Sequence, residues 1–297
     1  LAVSDEDPGR LYKLRIEALH ARGVWPMSPY DPNWRPRPPG RQFDDARRDH
    51  PSWPCVLAEG DSWFAHPVEW NILFHLSAMG GYAIRRLASI GDELRDMVRE
   101  APDHEPEFIR HLQRPVPWEI LLFSGGGNDL LGDPLPDLLR HRSEVSKGWR
   151  GLIRDEAVEA AIEAIRRAWL RVIFRAAHIR PGLPIVVHGY DYPFPRPKGA
   201  TLFWGRVTVT GPWMYPVMLG EKGITDPDER YKIVAELVDR LNQMLRQLAA
   251  EHPTFHHVDL RQTLPSQGQW DDEIHPRSAG FKKMAGKFAE AMDRTLA

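Results

Sequence analysis

Five short apolar runs, spaced along the chain and separated by segments with helical periodicity, constrain this sequence more than anything else in it. Cys55–Ala58, Ala83–Ala88, Glu119–Phe123, Pro184–His188 and Phe255–Val258 are each four to six residues long and nearly continuous in apolar character. Strands of that kind are buried on both faces, and strands alternating with amphipathic helices form a parallel sheet. Between the fourth and fifth runs, Val234, Leu237, Val238, Leu241, Met244, Leu245 and Leu248 share one helical face. Before the fourth, Asp155–Ile179 does the same through Val158, Ile162, Ile165, Trp169, Val172, Ile173 and Ala176, and Pro181-Gly182 ends it. A terminal helix is predicted over Ala279–Met292. The fold class is therefore α/β: a three-layer α/β/α sandwich around a five-stranded parallel sheet of flavodoxin type.

In such sheets the ligand site lies at the carboxyl ends of the strands. Three polar, glycine-bearing blocks fall there, namely Gly60-Asp61-Ser62-Trp63, Ser89-Ile90-Gly91-Asp92 and Ser124-Gly125-Gly126-Gly127-Asn128-Asp129. A fourth, Asp271-Asp272-Glu273-Ile274-His275, lies between the last strand and the terminal helix. A serine hydroxyl becomes a useful nucleophile when an imidazole takes its proton and a carboxylate orients the imidazole. Ser62, His275 and Asp272 are the candidates for those three roles. An oxyanion needs preorganised donors, and the Ser62 N–H, the Gly91 N–H and the Asn128 amide are the candidates. Taken singly, each block is an ordinary turn; their order and shared edge carry the reading.

With these four blocks in this order, the chain resembles the SGNH (GDSL-like) hydrolases, whose blocks carry Ser, Gly, Asn and His: here Ser62, Gly91, Asn128 and His275. The resemblance runs from about Pro54 to the C-terminus, but only the blocks are specific. It implies an esterase acting through an acyl-enzyme, and selects Asp272 over Asp271 because the family's Asp precedes its His by three. Trp63 stands where the family usually has Leu, which bears on pocket shape. The implied substrate is a small-molecule ester with a small or lipid-like acyl group; a carbohydrate esterase of the same fold is an alternative. A metal-dependent phosphoesterase, with the carboxylates of Asp61, Asp92 and Asp129 and the Asn128 amide as ligands, and a non-catalytic binding module on this scaffold are further alternatives. No cofactor and no metal are expected.

Other signatures are incomplete. No G-x-G-x-x-G or Gly-Lys-Ser/Thr follows a strand, and Phe64 replaces the second glycine of a G-x-S-x-G elbow. His256 and His257, adjacent on a strand, point to opposite faces and do not chelate together. His66, His75 and His188 lack spacing partners and read as solvent-facing or hydrogen-bonded structural residues.

Lys and Arg total 39 against 41 Asp and Glu, so nothing attracts nucleic acid strongly. The single Cys55 sits in an apolar run and reads as a buried thiol. No apolar run reaches the roughly 18 residues of a membrane span, so a soluble chain is expected. Because the sequence starts at Leu1, a secreted form with its signal removed stays open beside a cytoplasmic one. Oligomeric state is not readable.

Residues 1–50 are rich in Pro and Arg and read as an N-terminal extension, with a short helix possible over Leu11–Ala21 and a breaker at Arg35–Gly40. The hydrolase domain is then 51–297. Within it, 192–228 breaks the alternation with prolines and aromatics, reading as an insertion near the site that forms a cap, a wall or a self-packed loop. Trp63, Trp204 and Trp213 are the aromatic candidates for substrate contact.

Overall fold

A computed structural model describes residues 39–66, 70–202 and 207–297. The predicted helix at 11–21 and Trp204 lie outside the described residues.

Five parallel strands form the central sheet: β1 (Cys55–Gly60), β2 (Ala83–Arg86), β3 (Trp118–Ser124), β4 (Ile185–His188) and, after the insertion, a last strand. The insertion itself holds a two-stranded antiparallel ribbon, β5 (Ala200–Leu202) and β6 (Val207–Thr210), so the last strand of the sheet is β7 (Phe255–Val258). The order across the sheet is β2-β1-β3-β4-β7, so the chain steps one way after β1 and the other way from β2 onward. Right-handed crossovers then send helices to both faces. The predicted strands are all present, within three residues at each end. The ribbon β5-β6 carries no apolar run long enough to announce it.

The helices that matter for the site are α1 (Pro39–Asp49), α2 (Ser62–Ala65), α3 (Ile72–Met79), α4 (Leu94–Met97), α5 (Glu107–Leu112), α6 (Asn128–Leu131), α7 (Asp155–Ile179), α8 (Pro227–Glu251) and α9 (Ser278–Leu296). α3 and α9 cover one face; α5, α7 and α8 cover the other. The apolar stripes of α7 and α8 read from the sequence are the faces that bury Val172, Trp169, Leu237 and Leu241. Every residue of β1 and β4 is buried, as a sheet covered on both sides requires. Among the described residues no helix is long and apolar enough to cross a membrane.

Within the segment read as an N-terminal extension, residues 39–49 are folded onto the domain. α1 packs along β2, and Phe43 is buried with its ring 5.3 Å from Trp118. The last two residues of the predicted breaker, Pro39 and Gly40, instead open this helix, because proline is tolerated in a first helical turn, where its missing N–H has no partner to lose.

Candidate active site

The carboxyl edge of β1 makes a sharp exit. Gly60 has φ +154°, and a Cβ there would lie 2.6 Å from the Ser124 Cβ on the neighbouring strand, so only glycine passes so close to β3. Asp61 follows, its N–H donating to Ser124 O at 3.2 Å. The Asp61 side chain caps α2 by accepting from the Trp63 N–H at 3.0 Å. Ser62 is thereby the first residue of a helical turn, where the backbone N–H has no intrahelical acceptor.

The other half comes from the loop after β7. Asp272 Oδ1 accepts from two backbone donors, His275 N at 2.6 Å and Ile274 N at 2.8 Å. Its other oxygen faces His275 Nδ1 at 2.7 Å, and His275 Nε2 lies 2.6 Å from Ser62 Oγ. All three residues are buried. Burial pushes the Asp272 carboxyl up, but the hydrogen bonds and charge of His275 and the two backbone donors outweigh it and hold the group below the ordinary carboxylate range. Asp271 points elsewhere, to Lys198 at 3.6 Å.

Ser62, Gly91 and Asn128 line one cavity of about 140 Å³. Asn128 is aimed by its amide, which donates to Asp92 O at 2.9 Å. Its neighbour Asp129 accepts from Leu94 N at 2.7 Å and Arg95 N at 3.0 Å, capping α4. The loops after β2 and β3 are therefore pinned together, and Asp129 is occupied in doing so. The cavity walls are apolar, built from Trp63, Ile90, Leu131, Pro193, Trp213 and Ile274. Trp63 is mostly core, buried with its ring stacked on His188 at 5.2 Å and edge-on to Trp270 at 6.2 Å, while still lining the cavity. Trp213, from the insertion, stands edge-on to His275 with ring centres 5.6 Å apart.

Beneath the serine lies a network that the sequence did not announce. Asp61 accepts from Ser124 Oγ at 2.6 Å and from the Tyr190 hydroxyl, and Ser124 Oγ contacts His188 Nε2 at 2.8 Å. The Tyr190 ring fills the space a side chain at Gly127 would need, coming within 2.7 Å of a Cβ there. One ring thus packs against both the turn holding Ser62 and the turn holding Asn128. Burial raises the Asp61 carboxyl, opposed by the Ser124 and Tyr190 hydrogen bonds. His188 and His75 are hydrogen-bonded structural residues, His75 to Ser278 Oγ at 3.2 Å. His66 packs its ring 4.6 Å from that of His275. His66, Asp272 and His275 bring possible ligand atoms within 4.8 Å of one another, but both ring nitrogens of His275 already face Asp272 and Ser62.

An open parallel sheet with a buried Ser–His–Asp set at its carboxyl edge, beside a small apolar cavity, is the architecture of a hydrolase class. The chain belongs to the GDSL-like lipase/acylhydrolase family, whose family model matches residues 30–283. Its structure is similar to an extracellular lipase from Streptomyces rimosus at 14% identity and a TM-score of 0.49, over 80% of this chain and 99% of that one. It is also similar to the salicylyl-acyltransferase SsfX3 from a tetracycline biosynthetic pathway (15% identity, TM-score 0.44, 83% of this chain and 56% of that one). A third is a protein from Bacteroides ovatus ATCC 8483 whose structure is named as that of a candidate GDSL-like lipase (13%, 0.45, 82% and 53%). The chain spans little more than half the length of these last two. A search of curated proteins finds no match to the sequence.

Proposed function

We propose that this protein hydrolyses carboxylic esters with short acyl groups through an acyl-enzyme on Ser62. The observation that carries the reading is the continuous line from Ser62 Oγ to His275 Nε2 at 2.6 Å and from His275 Nδ1 to Asp272 Oδ2 at 2.7 Å, opening onto an apolar cavity. Ser62 Oγ attacks the ester carbonyl as its proton passes to His275 Nε2. The Ser62 N–H, the Gly91 N–H and the Asn128 amide hold the oxyanion that forms. The intermediate collapses, the alkoxide leaves with the proton from His275, and the acyl group stays on Ser62. Water then repeats the sequence, releasing the carboxylic acid and restoring the serine. Throughout, Asp272 keeps the Nδ1 proton in place and stabilises the imidazolium.

Cavity size narrows the substrate. About 140 Å³ compares with the roughly 150 Å³ engineered cavity that holds benzene, so an acyl group of about four to six carbons is the size the cavity accommodates. Trp213 and Ile274 form the wall nearest His275, which makes the insertion part of the pocket rather than a self-contained loop.

Two of the three carboxylates that a two-metal phosphoesterase would use, Asp61 and Asp129, are otherwise engaged. Asp61 accepts from Trp63 N, Ser124 and Tyr190, and Asp129 accepts from two backbone N–H groups. The test is hydrolysis of a p-nitrophenyl ester chain-length series by the wild type and Ser62→Ala, with and without EDTA. Activity that is lost in Ser62→Ala and survives the chelator supports the serine mechanism. Activity that persists in Ser62→Ala, or vanishes with EDTA, refutes it.

A further inference from the structure

Glu273 sits between two members of the candidate triad, yet faces away from them. It is fully buried, and its carboxylate accepts from three consecutive backbone N–H groups of the insertion: Trp213 and Met214 (2.5 Å) on Oε1, and Tyr215 (3.0 Å) on Oε2. Those residues open the helical turn 214–221, so Glu273 caps a helix distant in sequence. A carboxylate at a helix N-terminus is favoured both by the orphan N–H groups and by the dipole. Burial raises the Glu273 carboxyl to about 7, and the three N–H groups work against that rise.

The same loop is tied to the insertion elsewhere. The Glu273 N–H donates to Lys198 O at 3.2 Å, Phe194 N donates to Glu273 O at 3.1 Å, and Arg196 reaches Trp270 O and Asp272 O at 2.9 and 2.8 Å. These contacts hold the strap 194–198 against the loop. The Glu273 side chain reaches further, hydrogen-bonding the segment that presents Trp213 to the cavity.

On the serine-esterase reading above, we infer that Glu273 is a positioning residue that sets acyl-chain selectivity by fixing Trp213 as the cavity wall beside His275. The carboxylate does not touch the reacting atoms. It fixes the backbone from which the Trp213 ring projects, and the ring is backed by Gly211, where a Cβ would fall 2.7 Å from it. Release of the three N–H groups frees the wall to retreat, and longer acyl chains gain room.

Glu273→Gln keeps the shape but removes the charge and turns an NH2 group toward one of the backbone donors. The ratio of kcat/KM for p-nitrophenyl butanoate over octanoate is expected to fall about tenfold, while kcat for the acetate ester stays within about threefold; a pocket wall typically discriminates a methylene by 10–200-fold. Trp213→Ala should lower the same ratio, and the double variant should lower it no further, because both act through one ring. Amide hydrogen exchange at 213–215 supplies a readout independent of activity, with exchange at least tenfold faster in Glu273→Gln and unchanged in the strands. A wild-type ratio in Glu273→Gln, additive losses in the double variant, or unaltered exchange at 213–215 each overturns the inference. A wild type that hydrolyses no ester refutes the esterase reading and the selectivity role with it, and the exchange data then decide separately whether Glu273 holds the loop.

Discussion

Replacing Asp272 by Asn tests the proposed relay at its most constrained point. Asp272 Oδ1 accepts from the backbone N–H groups of Ile274 and His275, and Oδ2 from His275 Nδ1. An asparagine here has one orientation open to it, since an amide NH2 cannot face two N–H donors at 2.6 and 2.8 Å. The amide oxygen therefore keeps the backbone pair, and the NH2 group turns to Nδ1. His275 must then accept at Nδ1 and carry its proton on Nε2, facing Ser62 Oγ, in the tautomer that cannot take the serine proton. A misassigned tautomer of this kind lowers kcat by about 10⁴ in the serine-protease triad, equivalent to about 5.5 kcal/mol. Because both backbone donors keep their acceptor, thermal stability should fall by no more than about 1 kcal/mol. The assay is kcat on a short p-nitrophenyl ester, beside the unfolding midpoint. A kcat within tenfold of wild type in a folded Asp272→Asn protein refutes the relay.

Asn128→Ala should lower kcat by roughly 10²–10³ with KM little changed, the effect of losing one oxyanion donor; steady-state kinetics on the same ester measures it, and an unchanged kcat removes Asn128 from the site. Glu59 supplies a pH dependence: burial on β1 raises its carboxyl from the ordinary 4.5 to about 8, against one hydrogen bond from Gly60 N. Between those values the folded state holds a proton that the unfolded chain has released, so the stability tied to this group is complete below pH 4.5 and is lost as pH rises towards 8. Wild type should accordingly lose stability relative to Glu59→Gln by on the order of 1 kcal/mol per pH unit across that window; denaturant unfolding of both proteins at pH 5, 6, 7 and 8 checks it, and a constant difference refutes it.

The layered architecture was open to reading because its cause is local. Apolar runs such as Val56–Ala58 and Leu121–Phe123 can be buried on both faces only in a covered parallel sheet, and the stripes on α7 and α8 supply the cover. Because the strands are parallel, their carboxyl ends share one edge, and it is there that Ser62, Gly91 and Asn128 gather, with His275 brought to Ser62 by the loop after β7. These residues were nameable in advance because each lies within a few residues of a strand end or in a short block of fixed spacing. α1 escaped that reading, since a proline-led helix whose buried Phe43 is one residue among polar neighbours has little periodicity to show.

What the sequence determined by itself was the sheet, its polar edge and the four blocks on that edge, all properties of period, spacing and residue type. The tertiary structure alone decided which long-range partners those blocks acquire. Tyr190 joins the Ser62 and Asn128 turns from the end of β4, and Glu273 reaches some 60 residues back in the chain to cap the Trp213 turn. Neither pairing leaves a local trace, because a side chain's reach across the fold depends on loop paths that close only once the sheet has formed. The same holds for the cavity: an apolar wall is a set of surfaces brought within a few ångströms, and that distance belongs to packing, not to the order of residues.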